Sequence, residues 1–178
     1  MIVAIPKEKT AREARVAATP ATVKVLIKSG LKVQVETQAG NQSFFSDQDY
    51  VEAGAQIVNS SNELLSFADI VIKVLPPSLE ETSQLKIGSV VISFFQTTRE
   101  ISKVKALAER SITGFSMHLI PRTTLAQKMD ALSSQANIAG YKAVLMAATH
   151  LGVFMPLLMT AAGTIRPAKV LILGAGVA

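Results

Sequence analysis

The chain has no cysteine and no tryptophan, only two histidines, and aromatic residues at just 5% of its 178 positions. Zero cysteines exclude disulfides and thiolate metal sites, and His118 and His150 are too isolated to build a metal cluster. Charged residues are also scarce, at 17%. The formal charge is +5, yet the Lys and Arg residues are dispersed, with no basic run and little aromatic interleaving, so nucleic acid is not the expected partner. What is abundant is apolar: 49% of residues are hydrophobic, enough for a substantial core in the ordinary globular class. The start, Met-Ile-Val-Ala-Ile-Pro, reads as a first strand without the basic flank and long apolar region of a signal peptide, which favours a cytoplasmic start.

Short β-rich runs alternate with helical patterns, the mark of an α/β domain with a largely parallel sheet. Strands are expected over Ile2 to Ile5, Lys32 to Glu36, Ala55 to Val58, Ile70 to Leu75, Val90 to Ser93 and Ile112 to Ser116. Thr19-Pro20 starts a helix with an N-cap and a proline at the first helical position, and Gly30 stops it. Similar signals place helices near residues 47 to 53, 61 to 67 and 100 to 110. From Ala143 to Gly163 the chain is mostly apolar, but Thr149, His150, Gly152, Pro156 and Thr160 interrupt it, so two buried segments meeting near Gly152 to Pro156 are preferred to a membrane span. His150 then reads as a buried, hydrogen-bonded histidine and Met146, Met155 and Met159 as gap-filling residues of a core or interface. His118 reads as a strand-end residue with no role.

After a turn expected at Thr164 to Pro167, Ala168 to Leu173 reads as a strand leading into Gly174-Ala175-Gly176-Val177-Ala178. This is the opening of a dinucleotide-binding fingerprint, in which glycines let backbone approach a pyrophosphate. The third glycine, the phosphate-binding helix and the acidic residue about 20 positions on are absent, so the chain reads as a fragment of a longer polypeptide. The expected organisation is a Rossmann-like, doubly wound, mainly parallel domain over residues 1–126. Residues 127–178 then hold a linking helix and the first strand of a second, truncated Rossmann domain.

The most informative stretch is residues 122–141. Gln127, Asp130, Ser134, Asn137 and Tyr141 recur three or four apart, so a helix stacks them on one face, with Met129, Leu132, Ala136, Ala139 and Ala143 opposite. Few Lys or Arg residues lie among the polar five, unlike an ordinary solvated face. Two readings stand side by side: a ligand-contacting face, or a plain helix N-terminus with Asp130, Ser133 or Ser134 as N-cap.

The order of residues in this stretch resembles the NAD(H)-binding component of proton-translocating nicotinamide nucleotide transhydrogenases. So do Ile5-Pro6-Lys7-Glu8, the run Glu13 to Pro20, Lys73 in Val-Ile-Lys-Val-Leu-Pro-Pro, and Thr160-Ala161-Ala162-Gly163 ahead of the glycine turn. Alanine dehydrogenase shares the architecture and several of these motifs. The transhydrogenase resemblance implies that Arg122, Gln127 and Asp130 border the nicotinamide of NAD(H) with Ser133 close by, and that Lys128, Met129, Gly174, Gly176 and Val177 complete the cofactor contacts. It also implies a homodimer, NADP(H) bound by a partner domain or subunit, membrane-spanning partners that move protons, and a cytoplasmic position peripheral to the membrane. Hydride transfer between two nicotinamides needs close approach and orientation more than a titrating group, a task that a neutral amide such as Gln127 suits.

The alternative is an alanine dehydrogenase-like enzyme. There the resemblance puts Arg15 and Lys73 at the carboxylate and carbonyl of pyruvate, against plainer readings of Arg15 as a surface ion pair with Glu13 or Glu8 and Lys73 as a strand-end lysine. It also puts Gln96 where those dehydrogenases carry a catalytic histidine. Reducing an imine or carbonyl requires a proton donor, which Gln cannot be. A third reading, from another class, is a non-catalytic α/β module whose polar helix face meets a protein partner.

Overall fold

A computed structural model describes residues 1–178. The chain divides into two compact units, Met1–Leu119 and Ile120–Ala178.

In the first unit, strands β1 (Ile2–Ile5), β2 (Lys32–Glu36), β3 (Gln56–Val58), β4 (Ile70–Ile72), β5 (Val90–Ser93) and β6 (Thr113–Ser116) alternate with helices α1 (Pro20–Lys28), α2 (Asp47–Glu52), α3 (Ser61–Phe67), α4 (Leu79–Gln84) and α5 (Ile101–Glu109). All five strand pairings are parallel, and the order across the sheet is β3-β2-β1-β4-β5-β6. This is the doubly wound arrangement anticipated from the alternating patterns, with the strand order reversing between β1 and β4.

Side chains alternate across each strand, so the two sheet faces carry separate cores. One gathers Val3, Ile5, Val33 and Val35 with Val23 and Tyr50; the other gathers Ala4, Val71 and Val91 with Leu64, Leu65, Leu85 and Leu107. Helix starts follow local chemistry. The Thr19 hydroxyl accepts from the Thr22 amide, Pro20 occupies the first turn, and Gly30 adopts φ +83° beyond the last turn. Ser46 with Asp49, and Ser78 with Glu81, form reciprocal capping boxes at α2 and α4. Helix α4 was not anticipated: its six residues include two buried side chains, Glu81 and Thr82, too few for an apolar period to show.

The second unit begins with a tight 3-10 turn over Gln127–Met129, followed by α6 (Ala131–His150) and an antiparallel hairpin of β7 (Leu158–Thr160) and β8 (Gly163–Ile165). Several expectations change here. The hairpin replaces the turn expected at Thr164 to Pro167, because Ala161-Ala162 makes a two-residue loop and Gly163 supplies φ +131°. The apolar stretch from Ala143 is not a pair of buried segments: residues 141–154 are all exposed, including His150. Met146 and Met159 are likewise exposed, at 52% and 77%. Ala168 to Leu173 forms no strand: the Ala168 amide donates to the Phe154 carbonyl at 3.0 Å, but no ladder continues from that contact. No helix is long and apolar enough to cross a membrane.

Candidate functional site

The polar stretch does not form one continuous helix. Gln127 sits on the 3-10 turn, Asp130 is the N-cap, and the α-helix starts at Ala131, so Gln127 leaves the face shared by Ser134, Asn137 and Tyr141. The reason is local. Asp130 accepts from the Ser133 amide at 2.9 Å and from the Ser133 hydroxyl at 2.6 Å, satisfying a helix N-terminal donor that an unbroken helix would have paired internally. These two hydrogen bonds hold the Asp130 carboxyl below the usual aspartate range, with the Arg122 charge adding to them.

That break builds a cleft. Arg122, Thr123, Thr124, Gln127 and Asp130 line a cavity of about 290 Å³ within the second unit. Three of the five are residues singled out from sequence. Thr123 and Thr124 were not, although two hydroxyls directly after Arg122 are visible in the chain. The amide of Ala126 donates to Thr123, and Ala126 itself is buried, which pins the loop behind the cleft. Arg122 and Gln127 are exposed. Lys128, Met129 and Ser133 adjoin the cleft in sequence but do not line it. Gly174 adopts φ +101° in an exposed, irregular segment with Gly176 and Val177, a conformation that only glycine takes without strain.

The donor set is chemically varied. A guanidinium offers five donors and no acceptor, the Gln127 amide offers both, and a carboxylate has about four acceptor positions. Ser133 uses two of those on Asp130. The cleft thus presents donors and acceptors to a polar, uncharged or anionic group and holds no histidine or thiol.

In the first unit, Lys73 and Arg15 are each engaged with carboxylates. Lys73 follows β4 and is buried, donating to both Glu81 oxygens at 2.9 Å, with Glu8 at 3.9 Å. Arg15 makes a two-pronged contact with Glu13, Nε to Oε1 at 2.8 Å and Nη2 to Oε2 at 2.7 Å. The Gln96 side chain is exposed, and its backbone amide donates to Glu100. His118 lies in a turn just after β6, its ring edge-on to Phe94 with centroids 5.7 Å apart.

The sheet order and the alternating helices define a doubly wound α/β protein of the Rossmann-like class. Residues 4–139 match the model of the alanine dehydrogenase/PNT N-terminal domain, and residues 143–178 match that of the C-terminal domain. The chain belongs to the alanine dehydrogenase/PNT family. It is 44% identical over its whole length to the NAD(P) transhydrogenase subunit alpha of Haemophilus influenzae, of which it covers 34%. A transhydrogenase structure from Sinorhizobium meliloti superposes with a TM-score of 0.95 at 43% identity, covering 99% of this chain and 53% of that one. An L-alanine dehydrogenase structure superposes at 0.84 with 30% identity, covering 99% of this chain and 49% of that one. The chain therefore spans between a third and about half of the relatives it matches.

Proposed function

We propose that this chain is part of the NAD(H)-binding component of a proton-translocating NAD(P) transhydrogenase, and that the cleft of Arg122, Gln127 and Asp130 receives the nicotinamide end of NAD(H). The observation that carries this reading is the meeting of those three side chains around one cavity, in a chain with 43 to 44% identity to transhydrogenases against 30% to an alanine dehydrogenase.

NAD(H) supplies the hydride chemistry; the residues supply binding and orientation. Arg122 donates to a carboxamide oxygen or a phosphate. Gln127 donates and accepts, fixing ring orientation without a proton of its own to lose. Asp130, anchored by Ser133, accepts from an amide or a ribose hydroxyl, while Lys128 and Met129 flank the turn. Gly174, Gly176 and Val177 give backbone that a pyrophosphate approaches closely. Hydride then passes between NADH and NADP⁺, with NADP(H) held by a partner domain or subunit and proton movement carried by membrane-spanning partners. The working protein is a homodimer peripheral to the membrane on the cytoplasmic side.

Titration of the full-length gene product with NADH, followed by nucleotide fluorescence, tests the reading. Saturable binding that weakens on Arg122→Ala supports it. No saturable binding sinks it in favour of a non-catalytic module. Turnover of pyruvate and ammonia with NADH would instead establish the dehydrogenase.

A further inference from the structure

A glycine inside a helix is destabilising, because it has backbone freedom to lose and no side chain to pack. Helix α6 carries one, Gly140, near the middle of its 20 residues. The reason lies in what touches it. A Cβ at Gly140 would meet the backbone of Ala178, coming within 3.0 Å of its Cα and closer still to its carbonyl carbon. Backbone thus lies directly against the helix here, an approach that a residue without a side chain allows.

The segment seated there is the glycine turn. The last backbone hydrogen bond before it is that of the Ala168 amide to the Phe154 carbonyl, at 3.0 Å, so residues 174–178 are placed by contact with α6 rather than by a ladder. The turn is also sided. At Gly174 and at Gly176 a Cβ would meet nothing within 4 Å, so the two glycines face open space while Ala178 rests on the helix. The same helix is fixed to the polar cleft at its start, where Asp130 both caps it and lines the cavity with Arg122 and Gln127. Asp130 and Gly140 are ten positions apart, which is about 15 Å of helix at 1.5 Å per residue.

We infer that Gly140 is a positioning residue for the dinucleotide: it seats the turn of residues 174–178 on α6 and so fixes the distance from the backbone that meets the pyrophosphate to the cleft that meets the nicotinamide. The inference rests on the NAD(H) reading given above. A dinucleotide is held at both ends, so its affinity depends on the two contact regions standing at one spacing, and a helix joining them sets that spacing before the ligand arrives. An alanine in place of Gly140 displaces the turn, which is irregular and exposed. It does not weaken the helix, because alanine favours helical backbone more than glycine does. Lost binding in Gly140→Ala therefore reports the displaced turn.

Calorimetric titration of the full-length gene product with NADH and with ADP, which keeps the diphosphate and lacks the nicotinamide, tests this on wild type, Gly140→Ala and the neighbouring Ala139→Ser. Gly140→Ala is expected to weaken both ligands by about tenfold or more, the order of loss for a misplaced binding group, and to melt no lower than wild type. Ala139→Ser is expected to leave both affinities unchanged. Hydride transfer at saturating NADH, followed by stopped flow in the complete enzyme, is expected to fall by less than about threefold in Gly140→Ala, since the nicotinamide cleft is untouched. Hydrogen exchange on wild type needs no variant: ADP is expected to protect residues 174–178, and ADP protection confined to residues 122–130 overturns the inference. A Gly140→Ala chain that binds both ligands as wild type does overturns it too, as does one that weakens NADH but not ADP. A wild type that binds neither ligand overturns the nucleotide reading itself, so the two failures are told apart.

Discussion

Gln127 carries no charge and no titrating proton, yet it stands at the turn that opens the polar cleft. If its task is orientation, shortening it should hurt the transition state more than the ground state. Gln127→Asn in the complete enzyme is expected to slow hydride transfer at least tenfold while changing NADH affinity less than threefold, estimates of order set by the cost of misplacing reacting groups. Stopped-flow transfer rates set against equilibrium NADH binding check this, and equal loss in both counts against an orienting role. Gly40 makes a separate residue-scale case. A Cβ there meets the Tyr50 ring at 2.7 Å and the Phe45 carbonyl oxygen at 2.8 Å. Tyr50 is fully buried and donates to the Ala18 carbonyl, so it has little room to give way. Gly40→Ala is expected to destabilise the fold by about 1–3 kcal/mol, measured by urea unfolding.

Among the elements, α4 couples a local cap to a buried ion pair through a single side chain, Glu81. Burial acts to raise the Glu81 pKa, but the Lys73 hydrogen bonds and charge, then the Ser78 amide, outweigh it, and the net displacement is downward. Burial acts on Glu8 in the same sense, and there it wins: Lys73 and the Val74 and Leu75 amides offset it only in part, leaving the pKa raised. The two carboxyls thus pull stability in opposite directions with pH. Glu81's contribution is present above the ordinary glutamate value of 4.5 and is lost as pH falls through its lowered folded value. Glu8's is present below 4.5 and is lost as pH rises through its raised folded value. Glu8→Gln, which keeps an acceptor for the Val74 amide, is therefore expected to stabilise the chain at neutral pH, and Glu81→Gln to destabilise it. Urea unfolding at pH 7 and pH 4 reads the signs, with the Glu8→Gln gain shrinking at the lower pH.

The elements also differ in how plainly the sequence announces them. Helix α1 was legible because Thr19, Pro20 and Gly30 act through nearest neighbours. The central strands were legible because a strand buried on both faces is a run of Val and Ile. Helix α4 was not, although Ser78 and Glu81 carry the spacing of a capping box, since its buried face is polar and its payload is an ion pair with a distant strand. Residues 127–150 were legible in composition but not in shape. The period of three to four ran through Gln127, and the sequence offered Asp130, Ser133 and Ser134 alike as N-cap; the structure puts the cap at Asp130 and leaves Gln127 outside the helix.

For the molecule as a whole, the two units contrast in surface. The first gathers its buried apolar residues in two sheet-facing cores, although Phe44, Phe67, Ile87 and Phe115 are exposed. The second leaves Ile138, Val144, Leu145 and Met146 of α6 exposed, along with Val153, Phe154, Leu157, Leu171 and Leu173. Exposed apolar side chains in this number are a binding or association liability. The isolated chain is expected to bind the dye ANS strongly and to self-associate. A chain of residues 1–119 should show both effects more weakly, and Phe154→Asp with Leu157→Asp should reduce both in the isolated chain. Fluorescence titration and sedimentation velocity check this; weak ANS binding by the isolated chain contradicts the exposed surface.

By itself the sequence determined the α/β class, the alternation of strands and helices and the capped start of helix α1, because those depend on side-chain period and on groups a few residues apart. It also carried the family resemblance, motif by motif. Only the tertiary structure decided that strand order reverses between β1 and β4, that Glu81 sits on Lys73 across eight residues of chain, and that Arg122, Gln127 and Asp130 share one cavity while Gln127 leaves the helix. Those outcomes turn on which distant groups meet and on how completely water is excluded between them, and neither is written in any local window of sequence.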